Sequence, residues 1–210
     1  MAKYTPDSIY NLVEAYLERR KDLSSIGNSD SSLWLTMVGF FNRHFYQDGR
    51  KADPTRFQST TSFVVSGNGS NTISDLESLD GDGCGVFHAD SDGAITNQLV
   101  RKTSRSSNLS GCWVDSANQA IVTTGGLTGT IWVVYFAQVA KPADSETDLL
   151  LDDNNDEAVI DYFRRLIDIW DNKAGFLNLD DALLQNSMRR LIDNLNPEAP
   201  AAIPLNIDSF

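Results

Sequence analysis

The sequence predicts an α+β fold: a four-helix bundle drawn from both termini, with an inserted antiparallel β-module and an extended C-terminal arm. Apolar residues recur at helical spacing before residue 56 and after residue 144, whereas residues 57–143 alternate with a period of two. The helical pattern then stops at Pro197. The predicted units are therefore a bundle of residues 1–56 and 144–196, a β-module of residues 57–143 and an arm of residues 197–210.

Each helical pair has recognisable start signals. Thr5-Pro6-Asp7 supplies a capping hydroxyl, a proline at the first helical position and an acid in the first turn. Asp30-Ser31-Ser32 precedes a segment that is apolar nearly all round, so we expect a buried helix that ends at Asp48-Gly49. The second pair starts near Asn154 and at the capping residue Asn178. Helices that each bury one stripe should pack together as a bundle.

The middle of the chain predicts short strands separated by glycine-rich and aspartate-rich turns. Residues 131–136 are apolar on both faces, which is typical of a central strand. The short spacing between strands favours antiparallel meanders over βαβ units. An acidic linker follows, in which Leu149–Leu151 is the expected anchor. The expected strands cover residues 57–65, 86–89, 95–102, 112–115, 120–124 and 130–139.

The C-terminal segment from residue 197 onward has the pattern of an extended arm. It contains no Lys or Arg, and its three prolines exclude a helix. Its apolar residues are spaced as the face of an extended strand. Disordered tails are usually poor in such residues, so this pattern favours an arm that binds a surface. An arm of this kind requires a surface, on the same chain or on a neighbour. The candidate partner-binding residues are Pro200, Ile203, Pro204, Leu205, Ile207 and Phe210.

The net charge of −12 is concentrated near the C-terminus, where residues 144–210 hold five Lys or Arg against fifteen Asp or Glu. This balance argues against broad nucleic-acid binding, which depends on neutralising phosphates. One basic loop, with Arg101, Lys102 and Arg105, could contact phosphates or an acidic helix of a neighbour; the alternative is a solvated hairpin tip. The chain has no apolar run long enough to span a membrane and no secretory signal, so we expect synthesis in a cytosol.

The sequence contains no motif that predicts a catalytic, metal or cofactor site. His44 and His88 lack surrounding nucleophile or carboxylate motifs, so structural roles are expected for both. Cys84 and Cys112 do not have the spacing of a metal site and are expected to be buried thiols. The acidic turn that starts at Asp80 lacks the later ligands of a calcium loop. We therefore expect a protein that is not an enzyme.

The order of parts resembles the head-to-tail adaptor, or connector, proteins of tailed bacteriophages. The resemblance is carried by the N-terminal helix at residues 8–20, by the strand and proline of Ile131-Trp-Val-Val-Tyr-Phe-Ala-Gln-Val-Ala-Lys-Pro142, and by the acidic stretch and helix that end at Leu166. It implies a structural virion protein that forms a ring of about twelve copies.

This resemblance also implies partners and a location. The ring would join the portal protein to tail or stopper proteins in the neck of the virion, after synthesis in the host cytoplasm. DNA would pass through the lumen without sequence-specific binding, and no membrane is involved. The family has no catalytic residues, and arms of this kind often dock on the portal or on a neighbouring subunit.

An alternative function is a glycan-binding or other ligand-binding β-module on a helical stalk. Trp113, Trp132 and the glycine-rich turns would then form the site, because indole rings stack on sugars. This alternative predicts saturable sugar binding by the purified chain, whereas the adaptor hypothesis predicts none.

Overall fold

The computed structural model describes residues 3–17, 26–81, 83–89, 95–99, 111–152, 154–172 and 182–193. It confirms the α+β class with antiparallel sheets. The chain divides into a helical unit of residues 1–52 and 139–210 and a β-unit of residues 53–138; the predicted junctions were 56/57 and 143/144. The helices of the described residues are α1 (Pro6–Leu17), α2 (Ser32–Ala52), α3 (Asp156–Asn172) and α4 (Ala182–Asp193).

The first two helices begin where the sequence predicts. The N–H of Ser8 donates to Thr5 Oγ1 at 3.2 Å, and Pro6 is the first residue of α1. The N–H of Trp34 donates to Ser31 Oγ at 3.1 Å, which caps α2. The predicted end of α2 at Gly49 is wrong, since the helix continues to Ala52. A glycine costs a helix only about 1 kcal/mol, and basic residues in the last turn favour its continuation.

Aromatic side chains join α1, α2 and α3. The indole N–H of Trp34 donates to the carbonyl of Pro6 at 2.9 Å, and its ring lies 5.0 Å from that of Phe163. Phe41 packs with ring centroids 5.0 Å from Tyr162 and 5.3 Å from Phe163. All four aromatic side chains are fully buried. Aromatic groups of this size dominate the burial of apolar surface, so this cluster is the main core of the helical unit.

The expected anchor in the acidic linker is confirmed, because Leu149 and Leu151 are buried. The backbone of Tyr4 bonds to both of them: its N–H donates to Leu151 O at 3.1 Å and its carbonyl accepts from the N–H of Leu149 at 2.9 Å. The hydroxyl of Tyr4 also donates to Asp156 Oδ1 at 2.6 Å, at the start of α3. The N-terminal segment and the linker are thus held together by main-chain bonds.

The β-unit contains two antiparallel sheets. The first has the order β1-β8-β4-β5, with β3 also paired to β8, and the second has the order β2-β7-β6. The described strands are β1 (Gln58–Ser66), β2 (Gly69–Thr72), β3 (Leu76–Ser78), β4 (Gly85–Ala89), β5 (Ile95–Gln98), β6 (Gly111–Asp115), β7 (Ala120–Thr124) and β8 (Thr128–Ala137).

The central position of β8 is confirmed, but the expected meander is wrong for the first sheet. The last strand lies between β1 and β4, so Gln58 pairs with Phe136 and Val86 pairs with Val133. A strand that is apolar on both faces is most stable in the middle of a sheet, where strands on both sides help to cover its side chains. This gain in burial outweighs the preference for pairing between strands that are consecutive in the sequence. The short strands β2 and β3 were not predicted, because β2 begins inside the expected turn of residues 67–69 and β3 has only three residues.

One hydrophobic cluster fills the space between the two sheets. The first sheet contributes Val65, Val86, Ile131 and Val133, and the second contributes Cys112 and Ile121. Cys84 and Cys112 are both buried, as expected. Tyr135 reaches the edge of this cluster and donates from its hydroxyl to Asp75 Oδ1 at 2.9 Å. Burial, together with the adjacent carboxylate, raises the pKa of Tyr135 to about 12.

Truncating the aromatic core should destabilise the helical unit. Because Phe163 is fully buried among Trp34 and Phe41, Phe163→Ala is expected to lower the free energy of unfolding by about 3–5 kcal/mol. The matched control is Leu183→Ala on α4, where the side chain is 58% exposed and the change should stay within about 0.5 kcal/mol. Urea unfolding followed by far-UV circular dichroism measures both, and equal losses would contradict the assignment of this core.

Candidate functional site

The residues predicted to bind partners lie outside the described residues. This holds for the basic loop with Arg101, Lys102 and Arg105. It also holds for the C-terminal arm, with Pro200, Ile203, Pro204, Leu205, Ile207 and Phe210. Partner binding by the loop and by the arm therefore remains a prediction. The structure describes other surfaces, which lie on the helices and on the first sheet.

A groove of about 420 Å³ lies along α2 and carries positive charge. Arg43, Lys141 and the half-buried Phe40 are among the residues that line it. Gly39 permits the close approach of the segment after the β-unit, since a Cβ at this position would lie 3.3 Å from Lys141 Cγ. In the described ranges Arg43 has no carboxylate partner. The groove can therefore receive an anionic group that also offers apolar surface.

A second groove, of about 400 Å³, lies between α3 and α4 and carries both signs of charge. Arg190 bridges the two helices, with Nη1 2.8 Å from Asp161 Oδ2 and Nη2 3.4 Å from Glu157 Oε1. Arg164 and the exposed Leu183 also line it. Exposed ion pairs of this kind contribute little to stability. Their arrangement is suited instead to a partner surface of mixed charge.

Beneath the helix surface, His44 links α2 to α3. Its Nδ1 lies 3.0 Å from the hydroxyl of Tyr162, and its Nε2 lies 3.2 Å from Asp48 Oδ2. The contact of Nε2 with Asp48 is close but poorly aligned for a hydrogen bond, so it is an electrostatic contact. Both rings are buried. His44 therefore joins two helices inside the core, which is a structural role.

The protonation of this pair follows from its burial. Burial lowers the pKa of His44, and the nearby carboxylate of Asp48 offsets part of that effect. Burial also raises the pKa of Tyr162, with Asp48 adding to the rise. The phenol consequently keeps its proton and can donate it to Nδ1 of a neutral imidazole. His88 lies on the surface of the β-unit instead, with Nε2 3.0 Å from the carbonyl of Thr128.

The two tryptophans of the glycan alternative are half-buried within the sheets. Trp113 lies on β6, and Trp132 lies on β8 in register with Ser62 and Phe87. The Nε1 atom of each indole is buried, so a sugar hydroxyl could not reach it without a rearrangement. The alternative function is not tested by this geometry and remains a prediction.

The described residues contain no group of three or more His, Cys, Asp or Glu side chains placed to hold a metal ion. Within the same ranges, no helix is both long enough and apolar enough to cross a bilayer.

The long edge of β1 is a feature that the sequence reasoning missed. β1 pairs with β8 over all nine of its residues without a shift in register, and β8 is its only partner strand among the described strands. Val64, near the end of this strand, is 78% exposed. The available signal was the lack of any charged residue from Gln58 to Ser66, but the sequence pattern does not say which strand is at an edge.

No protein-family model and no curated protein matches this chain.

The buried histidine should make stability depend on pH. A pKa lowered in the folded state means that the unfolded chain binds more protons between the folded value and the ordinary value of 6.5. The stabilisation is fully present above pH 6.5 and is lost as the pH falls through this window. We expect the free energy of unfolding to fall over this range in the wild type and to fall less in His44→Gln. Urea unfolding at several pH values measures this, and equal slopes would contradict it.

Proposed function

We propose that this chain is a structural virion protein, a head-to-tail adaptor that forms a ring between a portal and the tail of a bacteriophage. In this proposal α1 to α4 pack as a four-helix bundle that forms the body of the ring. The β-unit is the part that contacts tail or stopper proteins. The segment from Pro197 onward is the arm that holds a partner, and the protein acts by assembly and not by catalysis.

The observation that carries the proposal is the layout of the chain. A helical unit is made from both ends, with α1 and α2 before the β-unit and α3 and α4 after it. The strand β8, Pro142, the acidic linker and α3 follow one another in the order that the adaptor resemblance implies. Burial of Pro142, Leu149 and Leu151 makes this connection a packed part of the unit.

The distribution of charge supports a ring that surrounds DNA. The excess of carboxylates in residues 144–210 would give an acidic lumen wall that repels phosphates and lets DNA slide. The groove between α3 and α4, with Asp161, Arg164 and Arg190, offers both signs of charge to an adjacent copy. A head-to-tail contact between different surfaces of identical subunits closes into a ring when its rotation permits.

Assembly onto a portal tests the proposal. The full-length chain, mixed with the portal protein encoded in the same genome, should form rings visible by negative-stain electron microscopy. Replacing Ile203, Leu205 and Ile207 together by Asp keeps the chain length but removes the apolar face of the arm. Since a strand docks through its main chain and its alternate side chains, this variant should remain folded by circular dichroism and fail to assemble.

The control for this experiment is Ala201→Asp with Ala202→Asp, which adds charge to the arm without removing its apolar residues. It should assemble better than the triple variant. Normal assembly of the triple variant would show that the arm is not needed. Absence of any complex between the wild-type chain and the portal would contradict the adaptor function itself.

A further inference from the structure

The outer edge of β1 is not paired with any of the strands that the structure describes. β1 bonds to β8 on one side only, and among the described strands none lies on its other side. The N–H of Gly67 donates to Leu127 O at 2.6 Å, which continues the β1–β8 register by one pair. Because bonded and non-bonded pairs alternate in an antiparallel ladder, Thr61, Phe63 and Val65 bond to β8. Thr60, Ser62 and Val64 therefore point their N–H and C=O groups outward.

This edge lacks the features that prevent strand addition. Natural sheets protect their edges with charged residues, prolines, bulges or very short strands. β1 has nine residues, no charge, no proline and a continuous register. The opposite edge strand of the same sheet, β5, has four residues and a shift in register next to His88. The contrast within one sheet indicates that β1 is an open acceptor.

We propose that β1 accepts residues 203–208 of a second copy of this chain as an added strand. The inference rests on the proposed function, because a ring requires a contact between two different surfaces of identical subunits. It deepens that function by naming the surface on which the arm docks. Strand addition takes its affinity from main-chain bonds and its register from alternate side chains.

The position of proline in the arm fits this docking. In a strand, successive residues direct their N–H and C=O groups to opposite sides. When the backbone of Pro204 faces away from β1, its missing N–H is not needed for pairing. The N–H groups of Ile203, Leu205 and Ile207 then all face β1. A proline is tolerated on an edge strand under this condition. The donors of the arm and the outward groups of β1 can then form an uninterrupted ladder.

The apolar face of the arm fits the same register. Phe63 is only half-buried, although it packs against the cluster between the sheets. Side chains on one face of a sheet follow a period of two, so Ile203, Leu205 and Ile207 lie on one face of the added strand. These side chains fall on the face of Phe63 and Val65 when the arm runs parallel to β1, because the arm residues that bond to β1 then stand opposite β1 residues that bond to β8. In this orientation they would extend the cluster over the open edge. Phe210 has the opposite parity and is not part of this face.

A peptide of residues 199–210 tests this docking without a portal. The acceptor is the full-length chain in which Ile203, Leu205 and Ile207 are Asp, so that its own arm does not compete. Amide hydrogen exchange followed by NMR should show that Thr60, Ser62 and Val64 gain at least about tenfold protection when the peptide is added, since their N–H groups become bonded. The amides of Thr61 and Phe63, already bonded to β8, should change little.

Two methylated peptides provide a matched control. Methylation of the backbone nitrogen of Leu205 removes a donor that points at β1, whereas methylation of that of Asn206 removes a donor that points away. The first should weaken binding at least about tenfold, and the second should change it by less than about threefold. Fluorescence anisotropy of labelled peptides measures both. Equal effects of the two methylations on binding would overturn the proposal. Hydrogen-exchange protection at Arg43 and Lys141 in place of β1 would overturn it as well.

A substitution in β1 provides an independent test. Ser62→Pro removes an outward N–H and leaves the bonds of Thr61 and Phe63 to β8 intact, so it should abolish peptide protection at Thr60 and Val64. In the wild-type chain, protection of these amides should increase with protein concentration. Protection that is complete and independent of concentration would mean that the arm docks on its own chain, and would overturn the second-copy assignment.

Failure of this inference and failure of the proposed function are distinguishable. Assembly with the portal together with no protection of β1 would leave the adaptor function standing and place the arm on another surface. Protection of β1 together with no portal complex would leave the strand acceptor standing and remove the adaptor function.

Discussion

The pairing of β8 with β1 is the constraint on which the β-unit depends. β8 is apolar on both faces and lies between β1 and β4, so the last strand completes a sheet that the first strand began. The register places Gln58 opposite Phe136. The two ends of the β-unit are thus adjacent in space, which is the condition under which one domain can be inserted into another without separating its parts. Among the described strands, none pairs with the other side of β1.

The helical unit is closed by a comparable long-range contact. Tyr4 bonds through its main chain to Leu149 and Leu151, and through its hydroxyl to Asp156. The aromatic cluster around Trp34 and Phe163 joins helices that are far apart in the sequence. In both units, contacts between residues far apart in the sequence join the first elements to the last ones. The layout that supports the adaptor proposal is therefore also the layout that stabilises each unit.

Local patterns were sufficient to predict most elements but not their neighbours. Thr5-Pro6 and Ser31 mark the starts of α1 and α2 because capping depends on a few adjacent residues. The central role of β8 followed from residues 131–136 being apolar on both faces. The edge position of β1 could not be predicted, because it depends on β8 being inserted beside it. Likewise, Arg43 and Lys141 share a groove only because the chain returns after the β-unit.

The order of the strands has a consequence during translation. A ribosome releases β1 long before β8, so for most of the synthesis of the β-unit the first strand has neither of its edges paired. α1 and α2 leave the ribosome early as well, and must wait for Leu149, Leu151 and Phe163 before their apolar faces are covered. The β-unit can close once β8 has emerged, whereas the helical unit becomes complete only near the end of synthesis, and each unit exposes apolar or strand-forming surface until then. Rapid pairing of β1 with β8 as soon as both have emerged would shorten the time for which this edge is exposed.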